Sequence, residues 1–445
     1  MNKDIESESV KAAQYAVERA IKSGCSAARS SLSISTQNSF AVRDGELDRL
    51  HGSTGSSLFI QVFINDRYGA YSTNRFDKSE LESFISNAIE ATKYIEKDIC
   101  RGLPEKELCY RNDQPPLVQH DNRLFELSAE EMKSIAFTSA DEILGSDKRL
   151  ISVNCEFSGS LDFSYMADSQ GFEGASKQSL YSLSAECSVR GAGEARPEAW
   201  WYEASMFFEQ LKRDGVAKMA LKRATDKLSP KKMKSGRYTM VVENSISNRL
   251  ISPIISALNG ASIQQNNSFL KNSLGKRLFS DKMIIFDDSI NPSAMGARYF
   301  DSEGIATNPS SIIQNGRVEK YFINSYYSKK MGIPATIEGP SVPIMRPFDN
   351  IELTLKEIVY KCGNGIIVTG FNGGNTNSSS GDFSFGVEGF YFENGEILHP
   401  VKEMNITGNL IELWNNLLYT GSDARDVSRW MIPSLAFEGV SFSGI

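Results

Sequence analysis

Three histidines in 445 residues leave little room for chemistry that depends on imidazole. His51, His120 and His399 fall in three different parts of the chain, so they do not form a local metal-binding set. Cysteine is scarce as well. Cys25, Cys100, Cys109, Cys155, Cys187 and Cys362 are widely scattered and contain no CxxC pair. The first residues, MNKDIESESV, are acidic and helical rather than basic and then apolar, so reduced, structural thiols are expected. No apolar run approaches the roughly 18 residues that a spanning helix needs. Positive charge is in deficit, with a net charge of −7 and a pI near 5.4, which argues against a nucleic-acid or membrane-surface binder. There is no GxSxG elbow and no P-loop, and GAGEAR at 191–196 is followed by a long turn rather than the helix of a dinucleotide fingerprint. A cytoplasmic protein with no membrane contact and no direct nucleic-acid contact is expected.

What is present describes an ordinary globular chain, 40% hydrophobic and 23% charged, long enough for about three domains or two large ones. Residues 5–23 carry apolar positions at helical spacing and end before Gly24. From Ala28 to Thr73 the pattern alternates, with turns at Asp44-Gly45 and Asn65-Asp66, predicting three or four strands. A second helix is predicted over 77–95, so residues 1–97 read as a helix–strands–helix unit. Residues 98–124, rich in Pro, Asn and Asp, read as a linker. A second α+β unit follows over 125–230. Ser128 and Glu131 form a capping-box pattern there, long strands run over 149–168 and 172–190, and a closing helix is predicted from Tyr202 to Lys227.

The remainder, 231–445, is strand-rich. Arg237–Val242, Met283–Phe286, Ser311–Gln314, Arg317–Phe322, Ile351–Thr354 and Ile366–Thr369 read as strands. Asn315-Gly316 and Asn394-Gly395 read as hairpin turns. The fold class is therefore α+β: an N-terminal mixed α/β region of two subdomains and a C-terminal, mostly antiparallel, strand-rich domain. Within that domain the stretch from Gly363 to Leu410 stands out. An apolar strand leads into a loop of small and polar residues from Gly370 to Gly381, and alternating strands follow. The loop is either a plain Gly-rich connection or a place where another backbone comes close.

The segments GDFSFGVEGFYFENGEI (381–397) and PVKEMNITGNL (400–410) resemble the C-terminal signature of the TldD/PmbA family. GRYTMVVENS (236–245), YFDSEGIAT (299–307) and NGRVEKYFINSYYSKKMG (315–332) extend the resemblance. Members of this family are linked to proteolysis of small peptides and were historically called modulators of DNA gyrase. In the catalytic subunits a helical His-Glu-x-x-x-His motif holds zinc, a spacing that puts the ligands on one helix face. The matching positions in NRLISPIISALNG are Ile251, Ser252 and Ser256, and Ser252-Pro253 suits a helix start instead. The catalytic subunits also use a cysteine near the C-terminus, whereas no cysteine follows Cys362 here.

The resemblance is thus to the PmbA (TldE) half of the family. It implies no cofactor in this chain, with zinc supplied by a TldD-like partner. It also implies a dimer, with that partner or with a second copy, enclosing a peptide-cleaving chamber. No catalytic residue is assigned. The loop residues Asn372, Gly374, Asn375, Asn377, Asp382 and Ser384, together with Asp301 and Glu303, are the candidates for the chamber wall. There an extended peptide substrate could add to a strand edge. A homodimeric, non-catalytic binder of peptides or of a regulatory partner is the alternative. A lone hydrolase using Asp287, Asp301 or Glu303 is a third reading.

Overall fold

The computed structural model describes residues 3–349 and 351–444. Its N-terminal part runs α1 (Lys3–Lys22), β1 (Ala27–Arg43), β2 (Glu46–Ile64), β3 (Arg67–Thr73), α2 (Lys78–Thr92), α3 (Ala129–Asp141), β4 (Leu150–Asp168), β5 (Glu173–Val189), β6 (Glu198–Ser205) and α4 (Val216–Asp226). The six strands form one antiparallel sheet in the order β3-β2-β1-β4-β5-β6. The two N-terminal units of the sequence therefore share a single sheet, joined where β1 pairs with β4. Local turn chemistry sets the hairpins. Asp44-Gly45 and Asn65-Asp66 all have positive φ, as tight hairpin turns require.

One face of the sheet is apolar and covered by helices. Leu32 and Ile34 pack with α1 and α2, and Phe40 and Val42 on the same face of β1 pack with α3 and α4. The opposite face is small and polar, with Ser31, Ser33 and Ser35 of β1 facing Met166, Ser164 and Asp162 of β4. The helix predicted over Tyr202–Lys227 is corrected. Tyr202 lies in β6, paired with Ser184, a short 3₁₀ turn follows at Phe208–Gln210, and only Val216–Asp226 is α-helical. Non-local pairing with β5 outweighs local periodicity there, and Trp200, Trp201 and Tyr202 suit a strand.

The C-terminal part runs β7 (Gly236–Val242), α5 (Asn248–Ala257), α6 (Gly260–Gln264), β8 (Ile285–Asp287), β9 (Ser310–Gln314), β10 (Arg317–Val318), α7 (Ser325–Met331), β11 (Pro343–Met345) and α8 (Leu355–Cys362). Then come β12 (Gly365–Phe371), β13 (Asn375–Thr376), β14 (Asp382–Glu393), β15 (Glu396–Asn409), α9 (Leu410–Asn415), β16 (Leu417–Thr420) and β17 (Leu435–Ser443). Strands β12, β7, β17, β15 and β14 pair in that order, and β14 also pairs with β12, so the sheet closes on itself as a small barrel. Among the described residues, β7–β12 is the one parallel strand pair of this sheet. Met240, Val242, Ile366 and Val368 point to one core, while Val241 and Ile367 point to a second core under α8. Burial on both faces explains the unbroken apolar run that marks β12 in the sequence. The expected strand Ile351–Thr354 is not one: Thr354 caps α8 in a capping box with Glu357. The strand expected to reach Phe322 stops at Val318.

Ion pairs fasten the two parts together. Arg223 of α4 donates two parallel hydrogen bonds of 2.8 Å to Glu243, which follows β7. Arg425 donates to Glu203 at 3.1 Å and lies 3.9 Å from the centre of the Trp201 ring. Lys227 reaches Glu388 of β14 at 2.7 Å. The Arg223 and Glu243 side chains are only 19% and 14% exposed, so the bidentate pair is shielded from water and loss of one member strands the other. Arg223→Ala is expected to lower stability by about 2 kcal/mol and to speed proteolysis within 227–235. Denaturant titration and limited trypsinolysis would measure both, and cleavage at the wild-type rate would show that this pair does not hold the parts together.

Candidate functional site

The Gly370–Ser384 loop is built by backbone geometry more than by side chains. At Gly374, with φ +85°, a β-carbon would lie 2.0 Å from the Ser384 carbonyl oxygen, so only glycine lets the chain cross β14 there. Asn375 and Thr376 then pair with Ser384 and Phe383. The Asn372 amide donates to the Gly386 carbonyl at 2.7 Å, and the Asn377 amide to the Asp382 carbonyl at 2.7 Å. The Asn377 side-chain oxygen accepts from the Ser379 amide at 2.9 Å. Asp382 accepts from Asn409 at 2.9 Å and from the Ser380 hydroxyl at 2.7 Å, and these bonds hold its carboxyl below the usual range. Asn372, Gly374, Asn375, Asn377, Asp382 and Ser384 all face solvent. Strand β14 is paired on both sides, so the edge open to an added strand in this loop is that of Asn375-Thr376.

Asp301 and Glu303 lie elsewhere and are turned inward. Asp301 accepts from the Glu303 amide at 2.9 Å, the Ile305 amide at 3.0 Å and the Glu338 amide at 3.0 Å. Burial pushes its pKa up to about 6, with the Glu338 and Glu303 charges adding to the rise against those amides. Glu303 accepts from the Ser325 amide at 2.7 Å, fixing the start of α7. The Tyr110 amide donates to the Gly304 carbonyl at 2.9 Å, so the same turn also holds the 98–124 segment. Asp287, at the end of β8, is fully buried and accepts from the Ser341 and Val342 amides at 2.9 and 2.8 Å. Burial raises its pKa too. All three carboxylates make the bonds of loop anchors.

A cleft of about 780 Å³ opens between the polar face of the N-terminal sheet and the Ala297–Ser302 segment. Ser31, Phe59, Ser164 and Ser176 form its floor, and Tyr110 and Asp301 lie on its far wall. Tyr110 stacks on Tyr299 with ring centres 5.2 Å apart. His120 lines the same cleft, and its Nδ1 is buried without a hydrogen-bond partner. Burial holds its pKa below the usual imidazole value, and Lys177 acts in the same direction. Asn372 instead lines a smaller cavity of about 170 Å³ with Trp200, Trp201 and Glu388. Of the eight candidates, Asp301 lines the larger opening and Asn372 the smaller, and the other six line neither. Tyr110 and His120 carried no local signal, because they sit in a linker-like segment that the fold brings against a strand far away in sequence.

The segment matched to the zinc motif does not fit that metal. Ile251 is fully buried in the barrel core, Ser252 is half-buried and Ser256 is exposed. Helix α5 begins at Asn248, after Ser247, and carries Pro253 inside it; the start expected at Ser252 is corrected. Among the described residues no three His, Cys, Asp or Glu side chains cluster as metal ligands would. His399 stacks on Tyr391, and His51 is exposed on β2. Cys362 ends α8 half-buried, with burial pushing its thiol up to about 11, which disfavours the nucleophilic thiolate.

Comparison with known proteins places this architecture. Residues 31–92, 122–228 and 235–444 match the models of domain 1, the central domain and the C-terminal domain of the PmbA/TldA metallopeptidases. The metalloprotease PmbA homolog of Haemophilus influenzae is 28% identical over 442 residues, covering 99% of this chain and 97% of that one. The metalloprotease PmbA of Escherichia coli O157:H7 is 26% identical, covering 93% and 91%. A crystal structure from Bacteroides thetaiotaomicron, carrying the name modulator of DNA gyrase, is 47% identical with a TM-score of 0.95 and covers 98% of both chains. TldE of Thermococcus kodakarensis shares the fold at 17% identity, with a TM-score of 0.83 over 97% of this chain and all of that one. Three domain matches in the order of the chain, and relatives aligned along nearly its whole length, make it a member of the PmbA/TldD metallopeptidase family.

Proposed function

We propose that this chain is a PmbA/TldE-like subunit of a TldD/PmbA-type zinc peptidase that has no metal site of its own. The observation that carries the reading is helix α5, where Ile251, Ser252 and Ser256 occupy the positions that the family resemblance gives to the zinc motif. A buried isoleucine and two neutral serines do not hold zinc. The chain then contributes shape and backbone contacts to a peptide chamber in the cytoplasm, and a TldD-like subunit brings the metal. The open edge of Asn375-Thr376 offers backbone groups to an extended peptide, a mode that reads shape more than sequence. The 780 Å³ cleft supplies apolar surface for its side chains.

The test is metal analysis of the purified chain with a peptidase assay, alone and after mixing with the His-Glu-x-x-x-His homologue from the same cell. Stoichiometric metal is expected only in the mixture, along with peptide turnover that a chelator abolishes. A transition metal held tightly by the chain alone, or chelator-sensitive hydrolysis by it alone, would refute the reading. Peptide binding with no turnover from any homologue would instead favour a homodimeric, non-catalytic regulator, the role suggested by the gyrase-modulator name of the Bacteroides relative.

A further inference from the structure

The polar face of the N-terminal sheet carries one aromatic side chain in surroundings that do not call for it. Phe59 has Ser57 and Gln61 as its same-face neighbours along β2, with Ser31 opposite on β1 and Ser72 opposite on β3. Its ring is 38% exposed and forms part of the floor of the large cleft. Single exposed rings are common on protein surfaces. This one is set apart by what stands across the cleft from it. Tyr110 lies within 11° of parallel to Tyr299 there, and within 20° of parallel to Phe300 with ring centres 5.8 Å apart. A floor with one ring among serines and a glutamine thus faces a wall of three nearly parallel rings. The cleft that holds them, at about 780 Å³, has the size of an ordinary ligand pocket.

The charges at this cleft are already engaged. Lys177 pairs with Glu6 of α1 at 2.8 Å. Arg298 donates to the Ser341 hydroxyl at 3.0 Å and to the Gly339 carbonyl at 3.1 Å, and it meets Glu338 at 3.4 Å. Asp301 accepts its three amides, and burial favours the uncharged form of His120. Several polar groups are taken as well. The Tyr299 hydroxyl donates to the Pro115 carbonyl at 2.9 Å, the Gln119 amide donates to the Ala294 carbonyl at 2.9 Å, and the Ser164 and Ser176 hydroxyls share a bond of 2.7 Å. A charged side chain entering this cleft loses water and finds each counter-ion occupied. An aromatic ring loses little hydration and gains ring–ring contact beyond the area it buries.

We infer that the cleft is a binding site for an aromatic side chain of a peptide, lodged between Phe59 and the Tyr110–Tyr299 stack. The inference rests on the reading of this cleft as a surface for peptide side chains, and it names the class of side chain. Phe59 touches the ligand ring and sets the preference. Tyr110 and Tyr299 offer the second face, and their positions are fixed by the Gly304 carbonyl that holds the Tyr110 amide and by the Pro115 carbonyl.

The test uses the full chain alone, with no metal and no second subunit. Alanine pentapeptides with blocked ends and tryptophan, leucine or lysine at the centre are titrated against it by ligand-observed NMR. The tryptophan peptide should bind about tenfold more tightly than the leucine peptide, and the lysine peptide more weakly than either. Phe59→Ala should remove most of the preference for tryptophan and leave the leucine peptide nearly unaffected, whereas Phe59→Tyr should keep the preference. Phe59→Leu retains an apolar side chain on the strand and should behave as Phe59→Ala does, so the test survives if alanine disturbs the sheet. Circular dichroism matching the wild type identifies the folded variants. Equal affinity of the wild type for the tryptophan and leucine peptides overturns the inference, as does binding of none of the three. An undiminished preference in folded Phe59→Ala or Phe59→Leu also overturns it. None of these results touches partner-dependent, chelator-sensitive turnover, which is judged by its own assay.

Discussion

Gly389→Ala should abolish the native barrel or cost about 3 kcal/mol or more. Gly389 lies in β14 where that strand is flanked by β12 and β15, and both ladders slip register beside it. A β-carbon there would sit 1.7 Å from the Ile367 carbonyl oxygen and 2.8 Å from the carbon that bears it. Both obstacles are backbone, so no rotamer change relieves the clash; β12 and β14 must part. That seam closes the barrel, and on either side of it lie Ile366 and Val368 of the main core and Ile367 of the core under α8. Parting it exposes both cores at once. Gly339→Ala is the control: no atom lies within 4 Å of its β-carbon and its φ is not positive, so a change within about 0.5 kcal/mol is expected. Denaturant titration followed by circular dichroism would compare the two. A Gly389→Ala protein as stable as Gly339→Ala would show that β12 and β14 are not held at this distance.

Gly389 also illustrates how far the sequence could be read. The hairpins were legible because their chemistry is local. Asn315-Gly316 and Asn394-Gly395 adopt the positive φ that their residue types favour, whatever surrounds them. The Ser128–Glu131 capping box and the apolar stripe of α1 were legible for the same reason. Illegible features depend on partners far along the chain. Trp201 is a strand residue because Ala185 stands opposite it, and nothing near Trp201 announces Ala185. The continuity of one sheet across the 97–124 segment rests on β1 meeting β4. Residues 98–124 looked like a linker because Pro and Asn break every period, yet Cys109 bridges to Ile305 and Gln119 to Gln178. Those bridges bring Tyr110 and His120 to the large cleft. Asp301 was singled out through its family motif, but only the fold shows that it accepts three amides with its carboxylate buried.

That burial gives Asp301 a signature in the dependence of stability on pH. Its carboxyl is 2% exposed and titrates at about 6 in the folded chain, against an ordinary value of 3.8. Burial is the main cause, and the charges of Glu338 and Glu303 add to it, outweighing the amide hydrogen bonds. The folded state therefore holds this proton more tightly than the unfolded state does. The stability so gained is complete below pH 3.8 and is lost as pH rises through about 6. The full swing is on the order of 3 kcal/mol. Asp301→Asn removes the titration, although its amide nitrogen must face one of the amides that the carboxylate accepts, so the variant starts from a lower stability. The free-energy gap between wild type and variant should then be widest near pH 4.5 and narrow by a large part of that swing toward pH 7.5. Urea titrations of both proteins at four pH values in this range would trace the gap, with the other carboxylates contributing equally to both curves. A constant gap would mean that Asp301 stays ionised throughout, its three amides outweighing burial. The FDSEG turn would then hold the cleft wall as a permanent anion. A narrowing gap would mean that burial keeps the proton on Asp301 in mild acid, against the three amides that favour its ionised form.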